Sequence, residues 1–213
     1  MRRALLPVAG VAAALGLGLG GAAAETISVT SVRPAIVRWA QAATITGAVG
    51  SGQANVDVYI DAQTCEDGRW DVISGAHTGP GGGFTAELGA GINLLVRARA
   101  GGATSNVVRV QQRPSVTLQQ RPRGTFWVNV NAGRSFWKKR VLLQRYVPSA
   151  RTWRNLRSAV LSDSGSRPGS AFVWSATEKF RQQLAKETLV RATLPLSQAK
   201  PCYAAGYSNL LRG

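Results

Sequence analysis

The stretch NVDVYIDA at residues 55–62 decides the fold class, because Val56, Val58 and Ile60 alternate with Asp57, Tyr59 and Asp61. An apolar residue at every second position is the signature of a β-strand with one buried and one wet face. The same grammar continues on both sides. ATITGAVG (43–50), GFTAEL (83–88), LLVRARA (94–100) and NVVRVQQ (106–112) are β-branched or alternating runs, with Gly, Pro, Asn and Ser punctuating the chain about every ten residues from Ile27 onward. After Arg113–Pro114 the pattern restarts as SVTLQQ (115–120), TFWVNVNA (125–132), RVLLQRYV (140–147), SAFVWSA (170–176) and ETLVRATL (187–194).

The restart is an internal repeat of just over ninety residues. Leu95-Val96-Arg97-Ala98 recurs as Leu189-Val190-Arg191-Ala192, Trp70 after a loop matches Trp153 after a loop, and Gly83–Phe84 matches the 169–172 region loosely. Two similar all-β halves, 25–113 and 114–213, fit a tandem of antiparallel β-sandwiches. One segment departs from the strand rule. Ser175-Ala176-Thr177-Glu178 reads as a capping box, with Phe180 and Leu184 four apart among helix formers, which predicts a short helix over 176–186. A simple strand extension is the competing reading.

The N-terminus sets the compartment. Arg2 and Arg3 precede an apolar run from Ala4 to Gly21, and Ala22-Ala23-Ala24 follows. That is the layout of a cleaved secretory signal over residues 1–24, with an uncleaved anchor as the alternative. No second long apolar segment follows, so no transmembrane span is expected in the mature chain. The expected localisation is therefore secreted, extracellular or associated with the cell envelope.

Composition narrows the chemistry. The 213 residues contain one histidine, two cysteines and one methionine, which rules out a multi-histidine metal site, a four-thiolate zinc site or an iron–sulfur cluster. His77 sits in HTGPGGG (77–83), where no Gly-Lys-Ser/Thr makes a phosphate loop. Asp57, Asp61, Glu66, Asp67 and Asp71 fall close together, but their spacing fits no calcium loop. They read as solvated acids, Asp57 and Asp61 on the wet face, or as a surface facing the basic half. SDSGSRPGS (162–170) reads as a flexible turn. No catalytic residue, metal site or cofactor is expected, and the chain reads as a non-enzyme.

The charge lies in one half. Residues 25–113 carry seven basic and seven acidic side chains, whereas 114–213 carry 17 basic against Asp163, Glu178 and Glu187. A field of that kind attracts anionic partners. The densest basic set is Lys138, Lys139 and Arg140, continued by Arg145, Arg151, Arg154 and Arg157. Phe126, Trp127, Phe136, Trp137, Tyr146 and Trp153 are interleaved with them. These seven cations are the candidate polyanion-binding residues. An anionic cell-wall or envelope polymer is the expected partner, nucleic acid is disfavoured, and a protein partner is the alternative for a spacer whose charge is incidental.

The second half also resembles the immunoglobulin-like repeats of exported proteins from high-GC Gram-positive bacteria. The resemblance rests on Val141, Leu143, Gln144, Arg145, Trp153, Leu156 and Phe172, then on Val190-Arg191-Ala192-x-Leu194-Pro195 and Tyr203-Ala204-Ala205-Gly206-Tyr207-Ser208. It covers about 125–211, with the first half as a divergent copy. It implies export and a sandwich fold, and a role as spacer, adhesion module or accessory domain. Lys200-Pro201-Cys202 departs from its pattern. An exported chain with an even cysteine count favours a disulfide. In such a sandwich Cys65, after the third strand, lies at the exit end of the first half, and Cys202 at the entry end of the second. The expectation is a Cys65–Cys202 bridge across the Arg113–Pro114 junction, against free thiols or an intermolecular bond.

Overall fold

A computed structural model describes residues 25–166 and 174–213; the expected signal segment and most of the predicted strand 170–176 lie outside the described residues. The first half contributes β1 (Ile27–Arg33), β2 (Ile36–Arg38), β3 (Ala42–Val49), β4 (Asp57–Thr64), β5 (Trp70–His77), β6 (Gly83–Gly89), β7 (Leu94–Ala100), β8 (Ala103–Thr104) and β9 (Val108–Arg113). The second contributes β10 (Ser115–Arg121), β11 (Thr125–Ala132), β12 (Arg140–Val147), β13 (Thr152–Val160), β14 (Asp163–Ser166), β15 (Trp174–Arg181) and β16 (Leu189–Leu194), then α1 (Leu196–Ala199), β17 (Gly206–Tyr207) and β18 (Leu211–Arg212).

These strands form four sheets, two in each half. In the first half the strand orders are β1-β3-β6 and β2-β9-β7-β4-β5, and in the second β10-β11-β15-β14 and β13-β12-β16-β17, with residues of both sheets of a half sharing one buried cluster. The repeat is therefore topological as well as textual: β12, β13 and β16 occupy the places of β4, β5 and β7. Among the described residues no strand of one half pairs with a strand of the other. Each half closes on its own core. Ile45, Val58, Ile60, Leu88 and Val96 are buried in the first, and Leu118, Phe126, Val128, Leu143, Val190 and Leu194 in the second. The alternation that predicted the strands is what delivers these side chains to one face.

The predicted helix over 176–186 is not there. β15 runs antiparallel to β11 on one side and β14 on the other, with Glu178 opposite Val128 and Phe180 opposite Phe126. Phe180 lands in the core and Lys179 in solvent, a period of two. A central strand bonded on both edges outweighs one local capping pattern, because propensity is weak against tertiary pairing. The serine-rich segment read as a turn contains β14 over 163–166; residues 167–170 of it lie outside the described residues.

The halves are held closely. Buried Pro114 alone separates β9 from β10. Cys65 and Cys202 form a disulfide with Cα atoms 5.3 Å apart. Asn93 acts as a three-way clip: its backbone N–H donates to the Cys202 carbonyl at 2.8 Å, its Nδ2 to the Pro201 carbonyl at 2.9 Å, and its Oδ1 accepts the Gln112 N–H at 2.7 Å. Arg134 and Glu66 add an ion pair across the same junction.

Candidate polyanion-binding surface

The seven predicted cations sit along the β12–β13 side of the second half, and all are exposed. Lys138 and Lys139 occupy the turn before β12 and Arg140 begins it. The Lys138 and Leu161 backbones, and the Phe136 carbonyl accepting from Lys139, fix that turn. Arg140 N–H donates to Gln198 Oε1 at 2.9 Å. Lys138, with φ of 62°, lies in the left-handed region, and its ammonium sits over the Trp137 ring at 4.0 Å.

Arg145 sits five residues further on, so the strand alternation places it on the opposite face from Arg140. It is the direct cross-strand neighbour of Arg154, and Arg157 lies opposite Leu143 on that same face. A bulge between the Leu143 and Gln144 pairs takes up Leu156 and turns the β13 edge outward. Arg157 Nε donates to Gln182 Oε1 at 3.2 Å, at the rim of the facing sheet. Arg151 caps the β12–β13 turn in a left-handed conformation. The seven cations thus make two clusters, a Lys138–Arg140 corner and an Arg145–Arg157 edge, in place of one continuous face.

None of the seven is ion-paired to a carboxylate among the described residues. Directly opposed like charges cost about 0.2–1 kcal/mol in a sheet, and Arg145 and Arg154 carry that cost uncompensated. Glu187, which shares a cleft with Arg145, is taken by Arg212 at 3.2 Å.

The interleaved aromatics divide. Phe126 and Phe136 are core residues, Phe136 stacking at 5.2 Å on the buried Tyr203. Trp137 is 53% exposed, and Trp127 lies between Arg121 at 5.0 Å and Lys179 at 4.9 Å. Tyr146 and Trp153 pack at 5.4 Å, half-buried on the outer face of their sheet. Sequence reading missed Arg191, whose guanidinium lies 4.1 Å from the Trp153 ring centre and 4.7 Å from that of Tyr207. Its signal was the repeated Leu-Val-Arg-Ala, read for fold alone.

The acidic set of the first half is not uniformly solvated. Asp61, expected on the wet face, is only 2% exposed and is clamped by Arg97 Nε at 3.1 Å and by Arg99 Nε and Nη2 at 2.6 and 2.9 Å. Its face of β4 is covered by the long side chains of β7, which alternation alone cannot reveal. His77, which showed no carboxylate at a telling spacing, meets Asp57 across the β4–β5 pair at 2.8 Å, in the open. Cys65, Glu66 and Cys202 cluster as metal ligands would, but both sulfurs are spent on the disulfide. Glu66 faces the basic half through Arg134, in line with the docking role considered for these acids. No protein-family model matches the chain, and neither does any curated protein.

Proposed function

We propose that this chain is an exported, non-catalytic pair of immunoglobulin-like sandwiches whose basic second half associates with anionic polymers of the cell envelope. The observation that carries the reading is the Arg145–Arg154 cross-strand pair with Arg157 beside it, exposed and without a carboxylate partner among the described residues. A fold that leaves like charges facing one another gains by acquiring an external anion. The Lys138–Lys139–Arg140 corner extends the field around the end of the sheet. Such binding is long-ranged and weakens as salt shortens the screening length from about 10 Å at 0.1 M to about 3 Å at 1 M.

The test is retention of the full chain on purified cell wall. Replacing Arg145, Arg154 and Arg157 with Ala, or Lys138, Lys139 and Arg140 with Ala, is expected to lower retention at low salt. Undiminished retention in both variants refutes the reading. A second reading, a stiff spacer, is favoured by the one-residue linker, the disulfide and the Asn93 clip. It predicts no retention at any salt.

A further inference from the structure

The two copies of Leu-Val-Arg-Ala present their arginines identically and then treat them differently. In each copy the neighbours of the arginine, Val96 and Ala98 or Val190 and Ala192, are fully buried, so the arginine points out of the sheet. Each guanidinium lies on a tryptophan at the start of the next strand but one, Arg97 on Trp70 at 4.2 Å and Arg191 on Trp153 at 4.1 Å. The residue opposite Arg97 is Asp61, and the residue opposite Arg191 is Gln144. Both accept from the arginine Nε, at 3.1 and 2.9 Å. The first copy thus contains its own carboxylate, and the second offers a neutral amide in its place.

The second copy adds a ring. Tyr207 brings its face to 4.7 Å from the Arg191 guanidinium, and Arg113 lies over the same ring at 5.3 Å. The terminal nitrogens of Arg191 have no protein partner among the described residues, and the Arg113 Nε is buried without one. Burial disfavours the charged form of Arg191 and pulls its pKa below the ordinary value, with Tyr207 opposing. From Tyr207 and Arg113 a cleft of about 420 Å³ opens along the junction between the halves, lined also by Arg38, Trp39 and Gln41 and, among the described residues, by no acidic side chain; Arg191 reaches it only through the shared Tyr207 ring.

We propose that Arg191, packed against the rings of Trp153 and Tyr207, is a carboxylate-binding site, and that with Arg113 and the cleft on the other side of Tyr207 it grips a uronate-type sugar of an acidic glycan. This rests on the reading of the second half as a polyanion-binding surface and names the group that surface takes. A guanidinium lying over two rings keeps the hydrogen bonds of its edge, where its planar fork matches a carboxylate. Asp61 on Arg97 shows the same scaffold holding that very group. Trp39 supplies an apolar wall for the sugar, and Arg38 and Gln41 supply polar groups at its rim.

The experiment is calorimetric titration of the full chain with trigalacturonate, and in parallel with a glycerol-phosphate trimer, at about 0.5 M salt, where long-range attraction is screened. Arg191→Gln is expected to weaken trigalacturonate binding more than about tenfold, the scale of one charge-assisted pair. Because Arg191 also packs on two rings, Gln144→Glu is the second variant. It sets a carboxylate where Asp61 stands in the first half, so it should block the site while its thermal midpoint stays at or above that of the parent. The proposal is overturned if Arg191→Gln and Gln144→Glu both bind undiminished, if the parent does not bind trigalacturonate, or if the phosphate trimer binds more tightly. If these variants lose trigalacturonate while wall retention ignores the basic edge and corner, the site stands and the broader surface reading falls.

Discussion

Replacing Cys65 with Ser and Cys202 with Ala removes a crosslink that spans 137 residues of sequence. If the halves unfold together, the chain-entropy cost of closing that loop corresponds to about 5 kcal/mol. If the second half unfolds on a folded first half, the closed loop shrinks to the stretch from Pro114 to Cys202, about 90 residues, and the cost to about 4.5 kcal/mol. If the first half unfolds alone, the stretch from Cys65 to Arg113, about 50 residues, gives about 4 kcal/mol. The logarithm makes the result insensitive to the route, so a loss of about 4–5 kcal/mol is expected in every case. For a chain of this size that is a fall of about 10–15 °C in the thermal midpoint. Equilibrium urea unfolding of the parent and the double variant, with the reduced parent as a third sample, measures it directly. The reduced parent should match the variant. A difference below about 1 kcal/mol would refute the reasoning, because it would mean the unfolded chain is not constrained by the bridge.

Other perturbations have defined outcomes. For Asp61, burial raises the carboxyl pKa, but hydrogen bonds from Arg99 and then Arg97, with their charges, outweigh it and hold the group below its ordinary 3.8. A depressed carboxylate stabilises the fold above the unfolded value and loses that contribution as pH falls through the folded one, so Asp61→Asn should flatten the acid limb of a urea-midpoint profile below about pH 4. Asn93→Ala removes the side-chain bonds to Pro201 and Gln112; it should cost about 1–3 kcal/mol and raise amide exchange at Gln112, read by hydrogen-exchange mass spectrometry. Gly47→Ala would drive a methyl group into the Phe84 ring and the Ser28 carbonyl oxygen, and should lower stability by about 1–3 kcal/mol in thermal unfolding. The Tyr203 hydroxyl is buried with no hydrogen bond of good geometry among the described residues, and burial pushes its phenol well above the ordinary range, with the nearby Arg134 charge and the Gly133 and Arg134 backbones opposing only weakly. Tyr203→Phe is therefore expected to be neutral or stabilising by up to about 1 kcal/mol in urea unfolding.

The strand framework was legible because alternation fixes which side chains a sheet buries: Val58, Ile60, Val128 and Leu143 all fall where period two places them. The Cys65–Cys202 bridge was expected from cysteine parity, an expectation of export and topology together, and the two residues do pair. β5 and β13 were harder to see. Each carries a tryptophan in its first two residues and runs along a sheet edge with mostly exposed residues, so they carry little alternation. The helix expectation over 176–186 failed where a local capping pattern met a strand with partners on both sides. At the site, single-sequence counting found the cations but not their grouping, because Arg140 and Arg145 sit on opposite faces of one strand. Arg191 and Tyr207 stayed hidden because stacking depends on β12, β16 and β17 lying side by side, contacts between residues far apart in the chain.

The most direct measurement is the affinity of the full chain for polygalacturonate across a salt series, for the parent and for the variant with Arg145, Arg154 and Arg157 replaced by Ala. A polyanion held by counterion release gives a logarithmic affinity that falls linearly with logarithmic salt, each contacting cation adding about 0.7–0.9 to the slope. The expected result is a steep parent line and a variant line shallower by about 2–3. A parent affinity that does not change with salt, or two parallel lines, would contradict the assignment of the second half as an electrostatic polymer-binding surface.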